Sequence, residues 1–102
     1  MSTRRISNSG ARVLRVMAAL RGHSITGLSN GELAKALDES PATINRCLNT
    51  LISEGIATQL ESGRYALSIK MLQIAQAHAT EVARAQARLD ELNQRVGAGA
   101  HS

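Results

Sequence analysis

The sequence has almost no aromatic residues: Tyr65 stands alone, with no Phe and no Trp among 102 residues. Single strands and RNA loops are held by stacking bases on several aromatic rings, so that mode of binding is excluded. The core must be aliphatic. There is one cysteine, Cys47, which rules out an internal disulfide and a cysteine-built metal site. No apolar run approaches the roughly 18 residues of a membrane span. Arg4 and Arg5 are not followed by an apolar stretch, so no signal peptide is expected. The marks of catalysis are missing too. His23, His78 and His101 lie far apart, and no His-x-x-x-His pair, glycine-rich phosphate loop or nucleophile motif occurs. No catalytic residue, metal ligand or cofactor is therefore expected. The reading is a soluble, cytoplasmic protein of one domain that is not an enzyme.

Acid is absent from the first part of the chain. Residues 1–31 hold Arg4, Arg5, Arg12, Arg15 and Arg21 and no carboxylate. The rest holds seven basic and eight acidic side chains, so the net charge of +4 is concentrated at one end. A basic end on a near-neutral body suits contact with nucleic acid or another anionic surface. Residues 1–8 carry no periodicity and read as a flexible basic arm, which could follow a phosphate backbone or enter a minor groove.

What is present is a run of short, well-marked helices. Val13, Leu14, Met17 and Leu20 recur at helical spacing and predict a helix from Ser9 or Gly10 to Arg21, stopped by Gly22. A second helix is expected over residues 30–37. Ser29 is its N-cap, Glu32 completes a capping box, and Leu33, Ala34 and Leu37 are its buried face. The third helix has the clearest ends. Ser40 is a good N-cap, Pro41 takes the first helical position, and Gly55 follows the last turn. Ile44, Cys47, Leu48 and Leu51 make one apolar stripe at i, i+3, i+4, i+7. Cys47 is on that stripe and reads as a buried structural thiol. The opposite face carries Thr43, Asn45, Arg46, Asn49, Thr50 and Ser53, with no acid. Arg pairs with guanine and Asn with adenine in a major groove, so this face suits DNA. A solvated surface fits it equally on this stretch alone.

Two short helices joined by three or four residues match a helix-turn-helix. After Gly55 the apolar period falls to about 2. Residues 56–60 and 64–67 read as strands around the turn Glu61-Ser62-Gly63. A helix-turn-helix followed by a hairpin is a winged helix. Arg64, beside the turn, is placed to touch a phosphate. Tyr65 is expected to lay its ring on the core.

From Ile69 to Val96 there is no Pro and no Gly, and one long helix capped by Ser68 is expected, unless it bends near Ala79-Thr80. Its first turns, with Ile69, Leu72 and Ile74 or Ala75, are expected to pack on the winged domain. Ala75, Val82, Leu89 and Val96 repeat every seven residues, with His78, Ala85 and Leu92 between them. That a/d seam predicts homodimerisation through Val82, Ala85, Leu89, Leu92 and Val96. A helix folding back on its own domain is the alternative. Residues 97–102 have the composition of a disordered tail.

Several local strings, in this order, resemble the DNA-binding domain of IclR-family transcriptional regulators. Leu28-Ser29-Asn30-Gly31-Glu32-Leu33-Ala34 resembles the family's lead into its second helix. Thr43-Ile44-Asn45-Arg46-Cys47-Leu48-Asn49-Thr50-Leu51, ending at Gly55, resembles its recognition helix. Tyr65-Ala66-Leu67-Ser68 resembles the tyrosine-x-leucine-glycine that closes the wing. The resemblance implies a mainly α fold: a winged helix-turn-helix over residues 9–68, three helices plus a two-stranded wing, then a linker helix over 69–96. It implies that Thr43, Asn45, Arg46 and Asn49 face DNA and that the long helix pairs two protomers. The family usually has a serine where this chain has Ala42, so one backbone contact would be missing. The family also continues into a large effector-binding domain, whereas this sequence ends at Ser102. No small-molecule effector domain is evident in these residues: a small stand-alone regulator suited to a mobile element is one reading, and a fragment of a longer regulator is the other.

The expected function is thus a sequence-specific double-stranded-DNA-binding regulator of transcription, simplest as a homodimeric repressor. Residues 41–54 would enter the major groove. Arg46 and Asn45 would make base-edge or nearby phosphate contacts, with Thr43 and Asn49 supporting and Ser40 and Ala42 at the same end. Arg4, Arg5 and Arg64 would supply phosphate and minor-groove electrostatics. A protein-interaction module that uses the same fold is the alternative.

Overall fold

A computed structural model describes residues 4–100. In chain order the elements are α1 (Asn8–Ala19), α2 (Asn30–Leu37), α3 (Pro41–Ser53), β1 (Ala57–Gln59), β2 (Tyr65–Leu67) and α4 (Ile69–Ala100). This is the expected winged helix-turn-helix with a long helix after it. The chain divides into two units, the first ending at Met71 and the second starting at Leu72.

α1 starts earlier than expected. The Ser7 hydroxyl accepts from the Gly10 N–H at 3.1 Å and caps the helix. Ser7 and Asn8 therefore belong to the helix end and not to a free arm; Met1, Ser2 and Thr3 lie outside the described residues. Its buried face also differs. Val16 and Leu20 are fully buried, with Val13 and Met17 packed beside them, while Leu14 is 59% exposed. Val13, Val16, Met17 and Leu20 fall at i, i+3, i+4, i+7, with Val16 in place of the expected Leu14, and packing against α3 selects them.

The α2 cap forms as expected. Ser29 Oγ accepts from the Glu32 N–H and donates to Glu32 Oε1, each at 3.1 Å. Asp38 then turns the chain in the left-handed region, φ 54°, where its N–H and that of Glu39 close on the Ala34 carbonyl. α3 follows at once. Ser40 Oγ accepts from the Thr43 N–H at 3.1 Å, and Pro41 opens the helix. Ile44, Cys47, Leu48 and Leu51 are all buried, against α1, α2 and β1. α3 is therefore the element on which the other parts of this unit pack, and its opposite face is left outward.

β1 and β2 pair antiparallel, with Thr58 opposite Ala66. They are shorter than expected, three residues each. A further pairing was not expected: Leu28 and Tyr65 form a bridge through N–H···O bonds of 2.8 and 2.7 Å. The loop before α2 thus joins the wing as a third edge. Tyr65 packs its ring beside the core, and Gln59 Nε2 donates to its hydroxyl at 3.4 Å.

Ser68 Oγ accepts from the Met71 N–H at the start of α4 and donates to the Gly55 carbonyl. α4 is one unbroken helix and runs beyond 96, so residues 97–100 are helical, not part of a disordered tail. Each glycine costs about 1 kcal/mol relative to alanine there, but extending an existing helix needs no new nucleus. His101 and Ser102 lie outside the described residues. Ile69 at the end of the first unit is exposed, and within the second unit so are Leu72, Ile74, Val82, Leu89, Leu92 and Val96. Among the described residues no helix is long and apolar enough to cross a membrane.

Candidate nucleic-acid interface

The outward face of α3 is set by the burial of the inward one. With Ile44 and Leu48 fully buried, Asn45, Arg46 and Asn49 are forced to the surface, and all three are exposed. Thr43 is half-buried at the edge. Its Oγ1 accepts from Ser40 Oγ at 2.9 Å and from Arg46 Nη2 at 3.4 Å. The N-cap, Thr43 and Arg46 are thereby strung along one side of the helix. That chain leaves most of the guanidinium's donors free to meet a ligand. The side chains of Asn45 and Asn49 make no hydrogen bond among the described residues. Ala42 is exposed beside them. Thr50 differs: its hydroxyl donates to the Arg46 carbonyl at 3.0 Å, one turn back, so its donor is turned inward.

The groove beside this face is lined by basic and neutral residues. Ser9, Arg12, Val13, Thr43, Arg46 and Thr50 line an open groove between α1 and α3. Arg12 Nε lies 3.4 Å from Glu39 Oε1, which neutralises the acid nearest the start of α3. Arg4, Arg5 and Arg15 are exposed. Asn30 Nδ2 donates to the Pro41 carbonyl at 3.2 Å and ties the start of α2 to that of α3. Neither this tie nor the Arg12–Glu39 pair has a local signal in the sequence, since each joins residues far apart in the chain. Cys47 is buried, and burial pushes its thiol up from the ordinary value, so it is inert packing.

Arg64 has a different place from the one expected. Its Nε donates to the Thr26 carbonyl and its Nη2 to the Gly27 carbonyl, both at 3.1 Å. Its Nη1 lies 2.7 Å from Glu32 Oε1. The guanidinium is turned inward, onto the loop before α2, where it holds the Glu32 carboxyl below the usual carboxylate range. The hydrogen bond from Arg64 is the main cause; desolvation opposes it, and the hydrogen bonds from Ser29 add to the lowering. The carbonyls and the carboxylate take one donor on each guanidinium nitrogen and leave one N–H on each of Nη1 and Nη2.

A basic, acid-free helix face presented by a winged helix-turn-helix defines a DNA-binding regulator module. The IclR helix-turn-helix domain model matches residues 9–61. The chain belongs to the IclR family, which comprises DNA-binding transcription regulators and not enzymes. Among solved structures it is similar to an IclR family transcriptional regulator from Brucella abortus. That match has 27% identity and a TM-score of 0.63, and covers 78% of this chain and 30% of the Brucella protein. The chain thus aligns to less than a third of that protein's length. CymR, the global cysteine regulator of B. subtilis, shares the fold at 23% identity and a TM-score of 0.56, over 64% of this chain and 52% of that one. So does a single-residue mutant of MepR from S. aureus, at 18% and 0.53, over 92% and 74%. No curated protein sequence matches.

Proposed function

We propose that this chain binds specific double-stranded DNA as a homodimer and represses transcription, most simply by covering a promoter, in the cytoplasm on the nucleoid. Residues 41–54 enter the major groove. Arg46 and Asn45 read base edges, and Thr43 and Asn49 support them. Ser40 and Ala42 lie toward the DNA backbone, and Arg4 and Arg5 reach phosphate or the adjacent minor groove. The observation that carries this reading is the division of α3: one stripe wholly buried, and the other face polar, exposed and without acid. A carboxylate there would repel phosphate, and none is present.

The dimer rests on α4. Val82, Leu89, Leu92 and Val96 are each more than half exposed, on the seam shared with Ala85. An apolar stripe of that length calls for a partner helix, and a second copy supplies an identical seam.

Selection from a random duplex library at near-physiological salt tests both parts. An enriched inverted repeat is the expected result. A single half-site would retain DNA reading and remove the dimer. No enrichment would turn the assignment to a protein-interaction module.

A further inference from the structure

We infer that Arg64 and Glu32 form a latch that fixes the wing for DNA binding, with Arg64 a positioning residue and not a phosphate contact. The inference deepens the DNA-binding reading above and rests on it.

The wing is a small hairpin, and a two-stranded hairpin is marginal by itself. Here it is fastened to the loop that leads into α2. The Leu28–Tyr65 bridge supplies two backbone bonds. Arg64 adds three more links, to the Thr26 and Gly27 carbonyls and to Glu32. The guanidinium is suited to this because its planar fork holds several donors in fixed directions. Glu32 is itself fixed, since Ser29 Oγ donates to the same Oε1 that receives Arg64. The N-cap of α2, its first-turn carboxylate and the wing arginine are therefore one network. Gly27 makes the close approach possible: a Cβ there would sit 2.6 Å from the Tyr65 carbonyl oxygen.

This use of Arg64 has a consequence for charge. It is the only basic residue between Cys47 and Ile69, a stretch that also holds Glu54 and Glu61. With Arg64 tied to the Thr26 and Gly27 carbonyls and to Glu32, the one cation of the wing is engaged within the protein. Its contribution is its position, and the salt-sensitive part of binding falls to basic residues elsewhere, Arg46 and the arginines before α2 among them.

The two roles predict opposite signs for one substitution. If Arg64 were a phosphate contact, Glu32→Gln would remove a competing acid and tighten binding. If Arg64 is a latch, Glu32→Gln weakens it. The test is the affinity for a duplex recovered by the selection, measured over a range of potassium chloride concentrations. Wild type, Glu32→Gln, Arg64→Gln, Arg64→Lys and the double glutamine variant are compared. The latch predicts that each single change weakens binding by up to about fivefold. It predicts that the double variant is no weaker than Arg64→Gln and that the salt slope is unchanged. Tighter binding by Glu32→Gln, full affinity in Arg64→Lys, or a slope reduced by about 0.9 in Arg64→Gln would overturn it. Amide hydrogen exchange without DNA gives an independent reading. Exchange at Leu28 and Tyr65 should quicken in both glutamine singles while Leu48 keeps its wild-type rate. Unaltered exchange at Leu28 and Tyr65 would overturn the latch even if DNA binding stands. If wild type binds no duplex, the DNA reading fails and the exchange result alone decides the latch.

Discussion

Gly27→Ala should be among the most damaging single-methyl additions to the winged unit. Two costs combine. Gly27 has φ +71°, a left-handed conformation that costs a residue with a Cβ about 1–2 kcal/mol. The added Cβ would also lie 2.6 Å from the Tyr65 carbonyl oxygen and 3.0 Å from Leu60 Cδ1. The oxygen belongs to the backbone and is held in the Leu28–Tyr65 bridge, so it cannot move without opening that pairing. Loss of those backbone bonds adds about 1–2 kcal/mol. Gly22→Ala is the matched comparison, because Gly22 has φ +77° and no atom within 4 Å of its added Cβ. It should show the conformational cost alone. The expected loss is thus about 1–2 kcal/mol for Gly22→Ala and about 2–4 kcal/mol for Gly27→Ala. Urea unfolding followed by circular dichroism reads both, provided the m-values agree. A Gly27→Ala protein no less stable than Gly22→Ala would refute the close approach of the loop and the wing.

Other outcomes are equally open to measurement. Ser40→Ala should lower stability by about 1 kcal/mol through loss of the α3 cap, read by thermal or urea unfolding; no loss would mean that the cap is idle. The carboxyl of Glu32 is held below its usual value, so its stabilisation is present above pH 4.5 and is lost as pH falls through its lowered value. The stability gap between wild type and Glu32→Gln should therefore close on acidification below that point, and a gap that stays constant would contradict the Arg64 pairing. Leu89→Asp should convert a dimer to a monomer in sedimentation velocity without loss of helical signal, since Leu89 is exposed on α4. An unchanged sedimentation coefficient would remove the seam from the interface.

The parts of the fold legible in the sequence are those with local marks. α3 could be read almost to the residue because Ser40, Pro41 and Gly55 bound it and Ile44, Cys47, Leu48 and Leu51 allow only one buried face. α2 is similar, with Ser29 and Glu32 writing its cap. α1 was legible as a helix but not in its rotation. Val13, Met17 and Leu20 fit with either Leu14 or Val16, and only packing against α3 decides between them. The end of α4 was obscured by glycine composition, which signals low propensity but not whether a preceding helix can extend. Arg64 shows the deeper limit. Beside a turn, an arginine reads as a phosphate contact; its partners Thr26, Gly27 and Glu32 are more than thirty residues away in the chain and meet it only once the hairpin has docked.

On the proposed function, α3 reads base edges through its outward face, with Arg46 foremost. The most direct test is the affinity of wild type and Arg46→Ala for a selected duplex and for a random duplex at the same salt. A bidentate base contact predicts a loss of about 1–3 kcal/mol on the selected duplex, with a much smaller change on random DNA. Equal losses on both would contradict it and make Arg46 a contact to phosphate alone.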